Sequence, residues 1–140
     1  MDVFTADKRS WVMQRIRGED TWPEIVVRRA LHRLGYRFRL HRRDLPGKPD
    51  IVLPRWKRII LVHGCFWHQH PGCKLAAKPS TNSAFWLEKL AANVRRDAAQ
   101  IIRLRNLGWN VLVIWECETE QPEILLQRLK EFFSTDSGEA

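Results

Sequence analysis

The apolar positions of this chain fall into two rhythms, and the punctuation between them divides it into elements. Thr21-Trp22-Pro23-Glu24 joins a capping residue, an early proline and a glutamate three positions on, which opens a helix. The apolar face of that helix is Ile25, Val26, Leu31 and Leu34, and Gly35 ends it. Tyr36 to Leu40 alternates at a period of two and predicts a strand. A turn-rich stretch, His41 to Pro49, leads to a second strand from Asp50 to Leu53. Pro54 to Lys57 reads as a turn and Arg58 to His63 as a buried strand. A long helix follows from Ser83 to Leu107, stopped by Gly108, with a stripe of Leu87, Leu90, Val94, Ala98 and Ile101, and Leu104 nearby. Trp109 to Trp115 predicts a fourth strand, and Pro122 to Phe133 an amphipathic helix with Leu125, Leu126, Leu129 and Phe133 inward. Upstream, Asp7 to Arg17 reads as a short helix. Helices and strands in this order predict a mixed α/β domain around a small sheet.

Length and composition fit that picture. At 140 residues, 44% of them hydrophobic, the chain predicts one domain over residues 1–134 with a frayed tail at 135–140. No apolar run is long enough for a membrane span. The opening residues carry charge and no apolar leader stretch, which points to the reducing cytoplasm. The formal charge is +8 and is unevenly spread. Arg28, Arg29, Arg33, Arg37, Arg39, Arg42, Arg43 and Lys48 face a single acid, Asp44, over that stretch, whereas from Glu116 onward seven acids face Arg128 and Lys130. A basic body points to a polyanion, most simply nucleic acid. The seven tryptophans add surfaces on which unstacked bases can be held.

The chemistry concentrates in one segment. His63 to Cys73 packs two cysteines and three histidines into eleven residues, and the third cysteine, Cys117, follows the last apolar strand. Zinc takes four thiolate and imidazole ligands in a tetrahedron. Cys65, Cys73 and Cys117 with one histidine supply such a set. Spacing leaves His68 and His70 as alternatives for the fourth place, with His70 completing a Cys3His set that frees His63 and His68. A Cys65–Cys73 disulfide would strand Cys117. A second feature is Asp50, at the start of a buried strand, where a carboxylate is costly unless paired or metal-bound. Pro49 forces an extended entry to it. If the second and third strands form a hairpin, Asp50 and His63 share one end of the sheet. Carboxylate, histidines and a basic surface suit magnesium-assisted phosphodiester hydrolysis. On the long helix, Trp86, Lys89, Asn93 and Arg96 recur on one face that could meet DNA.

These residues carry a resemblance. The runs PGKPD, HGCFWHQH, FWLEKLAANVRRD and GWNVLVIWECE, in this order, resemble the very short patch repair endonucleases, bacterial DNA mismatch enzymes. The likeness spans nearly the whole chain, from Arg9-Ser10 and Met13 through Cys117. It implies a restriction-endonuclease-like fold with a structural zinc. It also implies magnesium-dependent nicking of duplex DNA 5′ of the thymine in a T:G mismatch, the product of 5-methylcytosine deamination. By that resemblance Asp50 and the carbonyl of Val62 hold magnesium. His63 and His68 are catalytic, with His68 activating the attacking water, and Glu24 is a supporting acid. Cys65, His70, Cys73 and Cys117 hold zinc. Phe66, Trp67 and Trp86 wedge between base pairs from the major groove, and Lys89 and Asn93 lie near the mismatched pair. Met13, within an N-terminal DNA-contacting region at residues 1–20, reaches the minor groove. The expected state is a cytoplasmic monomer linked in function to a cytosine-5 DNA methyltransferase and repair proteins. Pro71-Gly72 lengthens the His70-to-Cys73 gap by one residue over the shortest family versions. Two other functions are compatible with these features: a nickase of the same fold with another sequence specificity, and a zinc-stabilised DNA-binding module without catalysis.

Overall fold

A computed structural model of the chain describes residues 19–134. The expected helix at Asp7 to Arg17, Met13 within it, and the tail at 135–140 lie outside the described residues. Helix α1 spans Trp22–Arg33. The Thr21 hydroxyl accepts the Glu24 N–H at its start, and Gly35, at φ +90°, lets the chain turn back at its end. Strands β1 (Arg39–Leu40), β2 (Ile51–Leu53) and β3 (Arg58–His63) follow, then helix α2 (Ser83–Asn106), strand β4 (Asn110–Trp115), a one-turn helix α3 (Glu116–Thr119) and helix α4 (Pro122–Ser134).

The sheet order is β1-β2-β3-β4, antiparallel except for the parallel pair β3–β4, whose strands are joined through α2. β3 is buried along its whole length, and its alternation sorts the core into two layers. Ile60 and Val62 join Ile51, Leu53 and Ile114 against Val27 and Leu31 of α1 and Leu125 and Leu129 of α4. Ile59 and Leu61 join Val52 and Trp109 against Leu104 of α2. Helices therefore cover both faces of a small mixed sheet. Among the described residues no helix is long and apolar enough to cross a membrane.

Four details depart from the sequence-based expectation. The first strand is two residues rather than five, because β2, its partner, ends at Pro54, which has no N–H to offer. Tyr36 and Phe38 use their rings instead: Tyr36 stacks on Phe133 at 3.8 Å between centroids, and Phe38 on His32 at 4.9 Å. In α1 it is Val27, rather than Ile25, that is fully buried beside Leu31. On α2 only Leu90 and Leu104 of the expected stripe are buried, while Leu87 and Val94 are 51% and 42% exposed. The inward face of α2 carries Asn93, Asp97 and Gln100, because that face borders a polar cavity. In α4, Leu126 is 37% exposed and is not part of the core.

Leu129→Ala should cost about 2–5 kcal/mol of stability, the usual range for an emptied core leucine site. Leu126→Ala should cost less than about 1 kcal/mol. Urea unfolding of both variants tests the placement; equal losses would put Leu126 back in the core.

Candidate active site and metal cluster

The cavity, about 830 Å³, opens at the C-terminal end of β3 between α1 and α2. Asp50 reaches it through a loop set by positive-φ residues: Gly47 at +72° and Lys48 at +50°. Gln100 of α2 packs where a side chain at position 47 would stand and donates to Pro46 O, and the positive φ of Gly47 favours glycine there. Asp50 Oδ2 then accepts the Val62 N–H at 2.9 Å. Burial, followed by the negative charge of Glu24, pushes the Asp50 carboxyl up to about 7, against the pull of the Val62 N–H.

Glu24 is 2% exposed. Its Oε1 alone meets Arg28 Nη2, His41 Nε2 and the Asp20 N–H, each at 3.2 Å. Burial raises its carboxyl, and His41 and Arg28 oppose the rise. His41 also donates its backbone N–H to Asp50 O at 3.1 Å, joining the two acids through one residue. Two carboxylates at one wall, Glu24 buried and Asp50 half-buried, leave a site that favours a cation.

Opposite stand His63 and His68, with rings stacked at 4.0 Å and 8°. His63 is 5% exposed and meets Trp115 edge-on at 5.3 Å. Burial, then the neighbouring His68, lowers its pKa to about 4. His68 Nδ1 lies 2.6 Å from Asp97 Oδ2. An ionised carboxylate only accepts, so Nδ1 carries the proton and Nε2 keeps its lone pair. Asp97 went unnoticed in the sequence, although it falls in the quoted FWLEKLAANVRRD run. Its spacing of four from Asn93 was the available signal, since i and i+4 share a helical face.

Beside this wall, Phe66, Trp67 and Trp86 form an aromatic cluster with centroid separations of 5.0, 5.5 and 5.9 Å. Trp67 is 36% exposed. Asn93 Nδ2 donates to Trp67 O at 3.0 Å, and Lys89 lines the same cavity. The structure thus brings together Asp50, Val62, His63, His68, Glu24, Trp67, Lys89 and Asn93, with Phe66 and Trp86 packed on Trp67.

A second cluster lies behind the histidines. One ligand atom each from Cys65, His70, Cys73 and Cys117 lies within 4.8 Å of the others. His70 Nδ1 is 3.7 Å from Cys65 Sγ and 3.5 Å from Cys117 Sγ. A tetrahedral zinc with ordinary bond lengths would separate sulfur and nitrogen ligands by about 3.6 Å, so the donors fit that ion. The Cys117 N–H donates to Cys65 Sγ at 3.4 Å, and the Cys65 N–H to Glu116 Oε1 at 3.2 Å. Burial pushes up the Cys65 and Cys117 thiols, and Cys73 adds to the rise of both, which a bound cation would relieve. His68 belongs to the other group, with His63 and Asp97. The geometry therefore separates the two histidines that spacing left open. His70 is further held by stacking on Trp115 at 4.2 Å.

The arginine-rich stretch is not all surface charge. Arg28 is tied to Asp20 and Glu24, Arg42 to Asp44, and Lys48 to Glu19. These cations brace the loop that delivers Asp50.

Comparison with known proteins identifies the family. The family model described as DNA mismatch endonuclease Vsr matches residues 1–74. The chain is 44% identical to the type II nicking enzyme V.XorIIP of Xanthomonas oryzae pv. oryzae, over 92% of this chain and 94% of that protein. It is 42% identical to the type II nicking enzyme V.NmeAIP of Neisseria meningitidis, over 91% of each. It is 40% identical to the DNA mismatch endonuclease Vsr of Escherichia coli K12, over 99% of this chain and 92% of that protein.

The lowered pKa of His63 has a definite sign. Its ring should stay neutral down to pH about 4, and its burial should oppose folding only as pH falls below the unfolded value of about 6.5. A nearby cation would lower the value further. NMR titration of the ring protons should show no His63 transition between pH 8 and 5; a midpoint near 6.5 would mean the ring is solvated.

Proposed function

The chain belongs to the Vsr family of DNA mismatch endonucleases, and from that premise and the cavity we propose that it nicks duplex DNA 5′ of the thymine in a T:G mismatch. The observation that carries this reading is one cavity lined by a buried carboxylate, a carboxylate-oriented histidine and an exposed tryptophan wedge. The fold is read as restriction-endonuclease-like. In this reading Asp50 and the adjoining Val62 carbonyl hold magnesium, a hard cation that takes oxygen ligands. When bound, magnesium polarises the scissile phosphate and makes water a better nucleophile.

The remaining work falls to this chain's own side chains. His68 takes a proton from the attacking water at Nε2, the atom that Asp97 leaves free. His63, neutral and buried, offers an N–H to an oxygen where negative charge develops. Glu24, held by Arg28 and His41, supports Asp50 from behind. Phe66, Trp67 and Trp86 wedge beside the mismatch, where unstacking costs less because pairing is already weak. Lys89 and Asn93 meet the mismatched pair, and Met13 a minor groove. Cys65, His70, Cys73 and Cys117 hold zinc, whose role is structural and contributes on the order of 10 kcal/mol to folding. The proposed partners are T:G duplex DNA and, in function, a cytosine-5 methyltransferase and repair proteins. The protein acts as a monomer in the cytoplasm. A second reading, nicking with a different sequence context, is favoured by the relatives named as type II nicking enzymes.

With magnesium, the wild type should nick T:G duplexes and spare T:A ones. Asp50→Asn should abolish nicking yet keep T:G binding, because the wedge does not depend on that carboxylate. Asp97→Asn should slow single-turnover nicking roughly 100-fold, the scale of a disabled general base. A folded Asp50→Asn protein that nicks at the wild-type rate would place the chemistry elsewhere.

A further inference from the structure

Arg96, on the α2 face that the sequence offers to DNA, has no role of its own in the function proposed above, although it lines the cavity between residues that do. Its neighbour in sequence, Asp97, holds His68. Its own Nη2 donates to Asn93 Oδ1 at 3.1 Å, and Asn93 Nδ2 donates in turn to Trp67 O at 3.0 Å. A hydrogen-bonded chain thus runs from an exposed guanidinium to the backbone of the wedge loop. Among the described residues Arg96 pairs with no carboxylate, in contrast to Arg28, Arg42 and Arg128. Lys89 lies two helical turns away on the same face of α2, about 10 Å along the axis, and lines the same cavity. A guanidinium with free N–H groups at the edge of this cavity, on the same helical face as Lys89, suits a phosphodiester oxygen, which it meets in a planar fork.

We propose that Arg96 grips a backbone phosphate of the strand entering the cavity and, through Asn93, couples that grip to the seating of the wedge loop. This rests on the DNA-nicking function proposed above. The grip itself carries no sequence information. The link to Trp67 makes it count toward mismatch preference, because the phosphate contact and the wedge then settle together. The adjacent Asp97–His68 pair sits on the same helical turn, so one rigid element aligns strand and base.

The test compares wild type, Arg96→Gln and Arg96→Lys, each checked for folding by circular dichroism. Binding to T:G and T:A duplexes is measured across a salt series, and single-turnover nicking at saturating DNA. Losing one phosphate contact should reduce the slope of log affinity against log salt by about 0.9 in Arg96→Gln. A scan of single methylphosphonate substitutions should find one phosphate whose neutralisation weakens the wild type and leaves Arg96→Gln unchanged. Arg96→Lys should restore the salt slope but not the T:G over T:A ratio in nicking, since an ammonium lacks the fork that meets phosphate and Asn93 at once. An Arg96→Gln protein with the wild-type slope and the wild-type methylphosphonate pattern would overturn the proposal while the nicking function stands. A wild-type protein that neither binds nor nicks T:G duplexes would overturn the function and the proposal together.

Discussion

The parallel pairing of β3 and β4 is the constraint on which the site depends. Its register sets His63 beside Trp115, so the residues that follow each strand emerge side by side. The loop after β3 and the helix after β4 are then stitched together. The Cys65 N–H reaches Glu116, the Cys117 N–H reaches Cys65 Sγ, and His70 lies against both sulfurs. Everything the loop carries inherits that anchor. Phe66, Trp67 and His68 stand between Cys65 and His70, so their positions are fixed at both ends by the cluster. Without it, a loop of this length would have no core of its own to order it.

The opposite wall is arranged by charge. Glu24 is buried and Asp50 half-buried, and the charge of Glu24 disfavours ionisation of Asp50. Arg28 and His41 bond Glu24 directly, while the Asp50 carboxylate accepts the Val62 N–H. The asymmetry directs the deficit of positive charge toward the cavity, the place where a divalent ion and a phosphate would meet. Within the arginine-rich stretch Arg28, Arg42 and Lys48 are engaged in ion pairs, although composition alone presents the whole stretch as a DNA-facing surface.

The sequence made the larger elements legible because their signals are local. The capping box at Thr21, Gly35 and Gly108 as stops, and the all-apolar run of β3 each act over a few residues. Tyr36 to Leu40 was misread because strand length depends on the partner, and β2 stops at Pro54. The stripe on α2 was misread for a related reason: periodicity identifies an amphipathic face, whereas the cavity decides that Asn93, Asp97 and Gln100 turn inward. At the site, the Cys/His spacing left His68 and His70 equivalent. The resemblance gives His70 to zinc and His68 to catalysis, and the fold separates them by geometry, bringing Cys117 to His70 and Asp97 to His68. Asp97 was not assigned from sequence, since its partner, His68, lies far along the chain.

In the proposed function the cluster of Cys65, His70, Cys73 and Cys117 binds zinc and orders the loop that carries Phe66, Trp67 and His68. X-ray absorption at the zinc edge, on purified protein active in T:G nicking, tests it most directly. The arrangement of Cys65, His70, Cys73 and Cys117 predicts about one zinc per chain with three sulfur ligands near about 2.3 Å and one imidazole nitrogen near about 2.0 Å. Active protein without zinc, or zinc in a shell lacking those three sulfurs, would contradict it.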